Sequence, residues 1–122
     1  MGFFIYFYAM ISDELKANII TFFETIDKYY GSKTEITSGL FSKMDNVNAA
    51  LTTWNLSEFN LIRSAYRNNG GKFMFEGNGN YFEIASEKLI DFKHPGRHKF
   101  EFIEQYGENV FRITKIRFHY KY

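Results

Sequence analysis

The sequence predicts an α+β fold: an N-terminal strand and three helices packed on one face of a mostly antiparallel sheet of four to six strands. Three observations carry this. Apolar side chains recur at three- and four-residue steps in Leu15–Tyr30, Val47–Trp54 and Phe59–Tyr66, the spacing of a helix face. From Lys72 to Tyr122 a Phe, Tyr or Ile stands at nearly every second position, the spacing of strands. Aromatic residues make up 20% of the chain, and their flat side chains favour pleated surfaces and binding faces.

Phe3 to Ile11 is apolar on both alternating faces, as a central strand covered on both sides would be. Ser12 then caps a helix whose start carries Asp13 and Glu14 and whose apolar stripe is Leu15, Ile19, Phe22, Phe23, Ile26 and Tyr30. Gly31 ends it. Thr34 to Thr37 reads as a short strand or an extended linker. A second helix opens at Ser42 or Asp45, runs through Val47, Ala50, Leu51 and Trp54, and stops near Asn55. A third starts at Ser57 and Glu58, lines one side with Phe59, Ile62 and Tyr66, and ends in Asn68-Asn69-Gly70-Gly71. The expected strands that follow are Phe73 to Glu76, Tyr81 to Ala85, Lys88 to Phe92, Lys99 to Gln105 and Val110 to Tyr120. With 122 residues, one domain spanning 1–122 can bury a core of its own, and no repeat or linker divides it.

Composition excludes several function classes. Lys and Arg number 15 against 14 Asp and Glu, a net charge of +1, so no global field draws the chain to nucleic acid or to an anionic membrane. There is no cysteine, hence no disulfide, thiolate zinc site or cysteine nucleophile. The apolar run from Phe3 to Ile11 has no basic residue before it and is far too short to span a bilayer, so the expectation is a soluble, cytoplasmic protein with no membrane partner.

Gly77 and Gly79 suggest a dinucleotide loop, but Phe82 stands where the third glycine is needed and a strand follows instead of a helix. Flanked by Phe73, Phe75 and Tyr81, they read as a hairpin turn. His94 and His98 are four residues apart, yet Pro95 and Gly96 forbid the helix that would align them on a metal. No metal, cofactor or catalytic residue is assigned.

The sharper candidate is the last hairpin. A turn centred on Gly107-Glu108 sets Tyr106 opposite Asn109, Phe102 opposite Ile113, Phe100 opposite Lys115 and His98 opposite Arg117. His98, Lys115, Arg117, His119 and Lys121 then share one face, with Arg97 in the entering loop, as an anion- or phosphate-binding set. Two histidines beside cations are also what a metal-independent ribonuclease uses. The leading expectation is a small non-enzymatic binding or inhibitory protein that engages a protein partner or sequesters a small anionic ligand, in the manner of a phage or mobile-element accessory factor. The alternative is an RNA-directed protein, binder or toxin-like ribonuclease, built on that basic hairpin. Self-association is expected through a terminal strand taken as a sheet edge.

Overall fold

The structure is a computed structural model that describes residues 13–42, 53–67 and 71–120. The expected strand from Phe3 to Ile11, the Ser12 cap, most of the expected second helix and Lys121 lie outside these residues. Among them, one α-helix, α1 (Asp13–Thr25), precedes seven strands: β1 (Lys33–Phe41), β2 (Thr53–Arg67), β3 (Lys72–Gly77), β4 (Asn80–Ala85), β5 (Leu89–Gly96), β6 (Lys99–Gly107) and β7 (Val110–His119). They form a single antiparallel sheet in the order β4-β3-β2-β1-β7-β6-β5. This corrects the prediction of three helices on four to six strands.

The segment expected as a third helix is the interior of β2, and the cause of the misreading is visible. Phe59 and Leu61 alternate into the core at 7% and 0% exposure, while Ile62 is 54% exposed. A bulge between Leu61 and Arg63 then advances the phase by one residue, so Ser64 and Tyr66 pair with Phe75 and Phe73 on the core side. Alternation interrupted by a bulge mimics a three- and four-residue step. Trp54 and Asn55, expected at the end of a second helix, open the same strand.

Helix α1 keeps most of its expected stripe. Ile19 and Phe22 are buried, as is Ile26 in the 3₁₀ turn Ile26–Tyr29 that follows. Because a 3₁₀ turn repeats every three residues, Tyr29 inherits the core position at 2% exposure and Tyr30 is left at 40%. Tyr30 instead clamps β2 just past the bulge: its hydroxyl donates to the Ser64 carbonyl (3.0 Å) and accepts from the Ser64 N–H (2.9 Å). Gly31 takes φ +88°, a conformation suited to glycine, and turns the chain into β1.

The five later strands lie close to their expected bounds. Pro95 is tolerated in β5 because that strand is an edge and needs no ladder donor there. The terminal strand β7, expected as an exposed edge, lies between β1 and β6 instead; the edges are β4 and β5.

Those edges are drawn toward each other. The three-residue 3₁₀ turn Ser86–Lys88 joins β4 to β5, so the sheet must coil around α1. Glu104 of β6, wholly buried, accepts from the Ala85 N–H of β4 (2.8 Å), from Arg112 Nε (2.7 Å) and from the Tyr106 hydroxyl. Arg112 also donates to the Glu83 carbonyl (2.6 Å) and lies 5.0 Å from the Phe82 ring centroid. Burial and hydrogen bonding to Glu104 push the Tyr106 phenol far up, so it remains a donor.

Inside the coil, aromatic rings supply the packing. Phe22 meets Phe100 and Phe102 at 4.6 and 5.4 Å between centroids, Phe23 stacks on Phe73 at 3.9 Å, and Tyr29 stacks on Phe118 at 3.9 Å. Each such buried side chain contributes roughly 1.5–3 kcal/mol. Among the described residues no helix is long and apolar enough to cross a membrane.

Candidate ligand-binding site

The hairpin register decides where the predicted basic residues go. Gly107 pairs with Val110, placing the turn on Glu108-Asn109, one residue later than expected. An irregularity between Gln105 and Gly107 takes back part of the shift, leaving Lys99 opposite Arg117, Phe100 opposite Ile116, Glu101 opposite Lys115 and Phe102 opposite Thr114. The net slip is one residue, which exchanges the faces of one strand relative to the other. His98 therefore does not share a face with Arg117.

On the convex face, away from α1, Lys115 lies with its Nζ 5.0 Å from the Trp54 ring centroid. His119 Nε2 is 3.0 Å from Glu35 Oε2, and Arg117 Nη1 is 4.0 Å from the same oxygen. The hydrogen bond from His119 holds the Glu35 carboxyl below the ordinary carboxylate range, against an upward push from burial. The register also sets Glu35 directly between Arg117 on β7 and Glu58 on β2, and Glu58 pairs with Lys33 at 3.1 Å. Glu35 was absent from the sequence reading because β1 itself was not recognised as a neighbour of β7.

On the concave face, His98 sits in the β5–β6 turn at φ +63°, and its carbonyl accepts the Phe118 N–H at 2.9 Å. Its Nδ1 is 2.8 Å from the Tyr29 hydroxyl. Burial pushes the Tyr29 phenol up, Tyr120 adds to the push and Arg97 opposes it. A protonated phenol can donate to Nδ1, which places the ring proton of a neutral His98 on Nε2.

His98 and Arg97 belong there to a cavity of about 700 Å³ between α1 and β5–β6, within the size range of pockets that enclose small organic molecules. Asn18, Thr21, Phe22, Thr25, Lys28 and Tyr29 form the helix wall; Phe92, His94, Phe100, the Arg97-His98 turn and Tyr120 form the other. His94 stacks on Phe100 at 4.4 Å between centroids. Among the described residues, the lining contains Lys28, Arg97 and two histidines, and no Asp or Glu. A bound anion would meet cations and hydroxyls there, with aromatic faces for an apolar body.

The helix wall was missed, yet it had a signal. Asn18, Thr21, Thr25 and Lys28 follow steps of three, four and three residues, a helical period. They run as an uncharged polar stripe, closed by a lysine, beside the apolar stripe of Ile19, Phe22, Ile26 and Tyr29.

At the strand ends a shallower depression of about 340 Å³ is lined by Arg97, His98, Lys99, Arg117, Phe118, His119 and Tyr120. Four of the six predicted residues thus meet after all, approached around the sheet edge from two faces. Lys115 lines an adjoining hollow of about 180 Å³ with Glu35, Glu101, Lys99 and Arg117, the last two of which also line the depression. Among the described residues no three His, Asp or Glu side chains gather as a metal-ligand set. No family model, curated protein or solved structure matches this chain.

Proposed function

We propose that the protein is a non-enzymatic binding protein that sequesters a small anionic ligand in the cavity between α1 and β5–β6. One observation carries the reading: among the described residues the cavity wall brings Lys28 and Arg97 together with His94 and His98 and holds no Asp or Glu. A concave surface lined by one sign of charge focuses the field on a ligand more than a flat one does. Isothermal titration of the full chain with a panel of small organic anions tests it, with benzoate and naphthalene sulfonate as aromatic members. Binding is expected to weaken as salt rises, and by about tenfold in Lys28→Ala or Arg97→Ala, the loss of one charge-assisted contact. Heats that stay at the dilution level for every anion, or affinities indifferent to both substitutions, would reject the proposal.

A second reading, an RNA-directed protein, is favoured by the convex cluster. Glu35 and His119 form an acid–base pair beside Arg117, the groups needed to move a 2′-hydroxyl proton and to steady a phosphorane. On this reading Glu35→Gln and His119→Ala abolish cleavage of a single-stranded RNA while the protein stays folded. RNA left intact by the unaltered protein removes the enzymatic form.

A further inference from the structure

The concave cavity and the strand-end depression are neighbours that share Arg97, His98 and Tyr120 in their linings, so an elongated ligand can reach both by turning around the end of the sheet. The two lobes differ in chemistry. The inner lobe offers aromatic rings, Phe92 and the exposed His94 imidazole that stacks on buried Phe100, with the Asn18 amide and the Thr21 hydroxyl on the opposing helix wall. The outer lobe offers three permanent cations, Arg97, Lys99 and Arg117.

These cations are weakly compensated. Arg97 and Lys99 form no ion pair with a carboxylate of the described residues, and Arg117 reaches Glu35 only at 4.0 Å. Glu35 and Glu101 both line the neighbouring hollow beside Lys99 and Arg117. Against those two carboxylates the cavity and the depression together present four cations, Lys28, Arg97, Lys99 and Arg117, an excess of two that a single carboxylate ligand would not match and a pyrophosphate group would. Guanidinium groups suit phosphate because their paired N–H groups fit two of its oxygens at once. Aromatic faces accept any heterocyclic base, because every base has a π face.

Building on the anion-sequestering reading above, we infer that the ligand is a free nucleoside diphosphate, its base in the inner lobe between α1 and the Phe92–Phe100 wall and its phosphates at Arg97, Lys99 and Arg117. The base supplies apolar area and hydrogen-bonding edges to the inner lobe. The phosphates neutralise the outer lobe. Neither half of the ligand satisfies both lobes, so the two halves together bind tighter than either alone.

Isothermal titration of the full chain decides this, using adenosine diphosphate, uridine diphosphate, adenosine, inorganic pyrophosphate, benzoate and a short oligoribonucleotide as probes. At least one nucleoside diphosphate is expected to bind about tenfold or more tighter than both pyrophosphate and adenosine, one charge-assisted contact's worth of affinity. Arg117→Ala is expected to weaken the diphosphate about tenfold, and adenosine less. Phe92→Ala is expected to weaken both nucleoside-bearing probes more than pyrophosphate. Should Arg117→Ala unfold, Lys99→Ala and Arg117→Lys probe the same lobe, each expected to lower diphosphate affinity. Pyrophosphate binding as tightly as the nucleoside diphosphates overturns the inference. So does benzoate binding while the nucleoside diphosphates stay silent, a result that leaves the anion-sequestering reading standing. An oligoribonucleotide that outcompetes the diphosphates overturns it in favour of RNA. Silence from every anion overturns both.

Discussion

Strands β6 and β7 carry a charged cluster at each end, and the two clusters have opposite character. Near the turn, Glu104 is wholly buried and meets Arg112, Tyr106 and the Ala85 N–H within hydrogen-bond reach, so charge and donors balance inside the protein. At the open end, Lys99 and Arg117 face each other in the ladder, with Arg97 and His119 beside them, and cations outnumber the two adjoining carboxylates, Glu35 and Glu101. The same residue types thus serve as a clasp in one place and as an unfilled demand for negative charge in the other. Burial and internal neutralisation distinguish them, and neither can be read from residue identity.

The contrast can be broken most forcefully at the clasp. Glu104→Ala removes the acceptor shared by three donors and strands the Arg112 guanidinium, which is expected to cost about 3–5 kcal/mol in chemical denaturation. Replacing Glu104 and Arg112 together by apolar residues should recover much of that loss, since the penalty is chiefly that of the orphaned partner. A single substitution costing under ~1 kcal/mol would show that the clasp behaves like the open end.

An intermediate effect is expected where the open end meets the core. Tyr29→Phe keeps the ring stacked on Phe118 but deletes the hydroxyl that meets His98 at 2.8 Å. The expected loss is about 0.5–1.5 kcal/mol, the net worth of one hydrogen bond, measured as a shift in the denaturation midpoint. No change would mean that water replaces the hydroxyl without cost and that His98 is positioned by its backbone alone.

The smallest effect belongs to the convex pair. Glu35 titrates below its ordinary value of 4.5, so the unfolded chain binds the proton first as pH falls. The contribution is therefore complete above the unfolded value and is lost as pH drops through the folded one. Glu35→Gln should flatten that acid limb by less than about 1 kcal/mol, because His119 and Arg117 are partly exposed and screened. Urea titrations at pH 6 and pH 3 compare the two forms; an equal difference between them at both pH values would remove the ion pair from the stability account.

The aromatic alternation after Lys72 placed five strands close to their observed bounds, and the stripe from Leu15 to Ile26 placed α1. Both signals are local and unbroken. β2 defeated the same reasoning because one bulge at Leu61–Arg63 converted a two-residue period into an apparent helical one. The candidate site was half legible: Arg97, His98, Arg117 and His119 were named, but on one face and without Glu35, Tyr29 or the Asn18–Lys28 stripe. A turn one residue later than expected, partly undone by an irregularity beside it, moved His98 to the helix side.

Composition and pattern alone established a chain without thiol chemistry, nearly neutral, rich in aromatic strands, and with an amphipathic helix at Leu15–Ile26, beside a third-helix reading of Ser57–Tyr66 that the structure replaces with a strand. They act through neighbours a few residues apart. Pairing partners, the coil that brings β4 to β6, and the residues that the cavity shares with the strand ends were decided by tertiary structure. Each depends on the summed phase of turns and bulges over tens of residues, where a single added residue exchanges inside for outside.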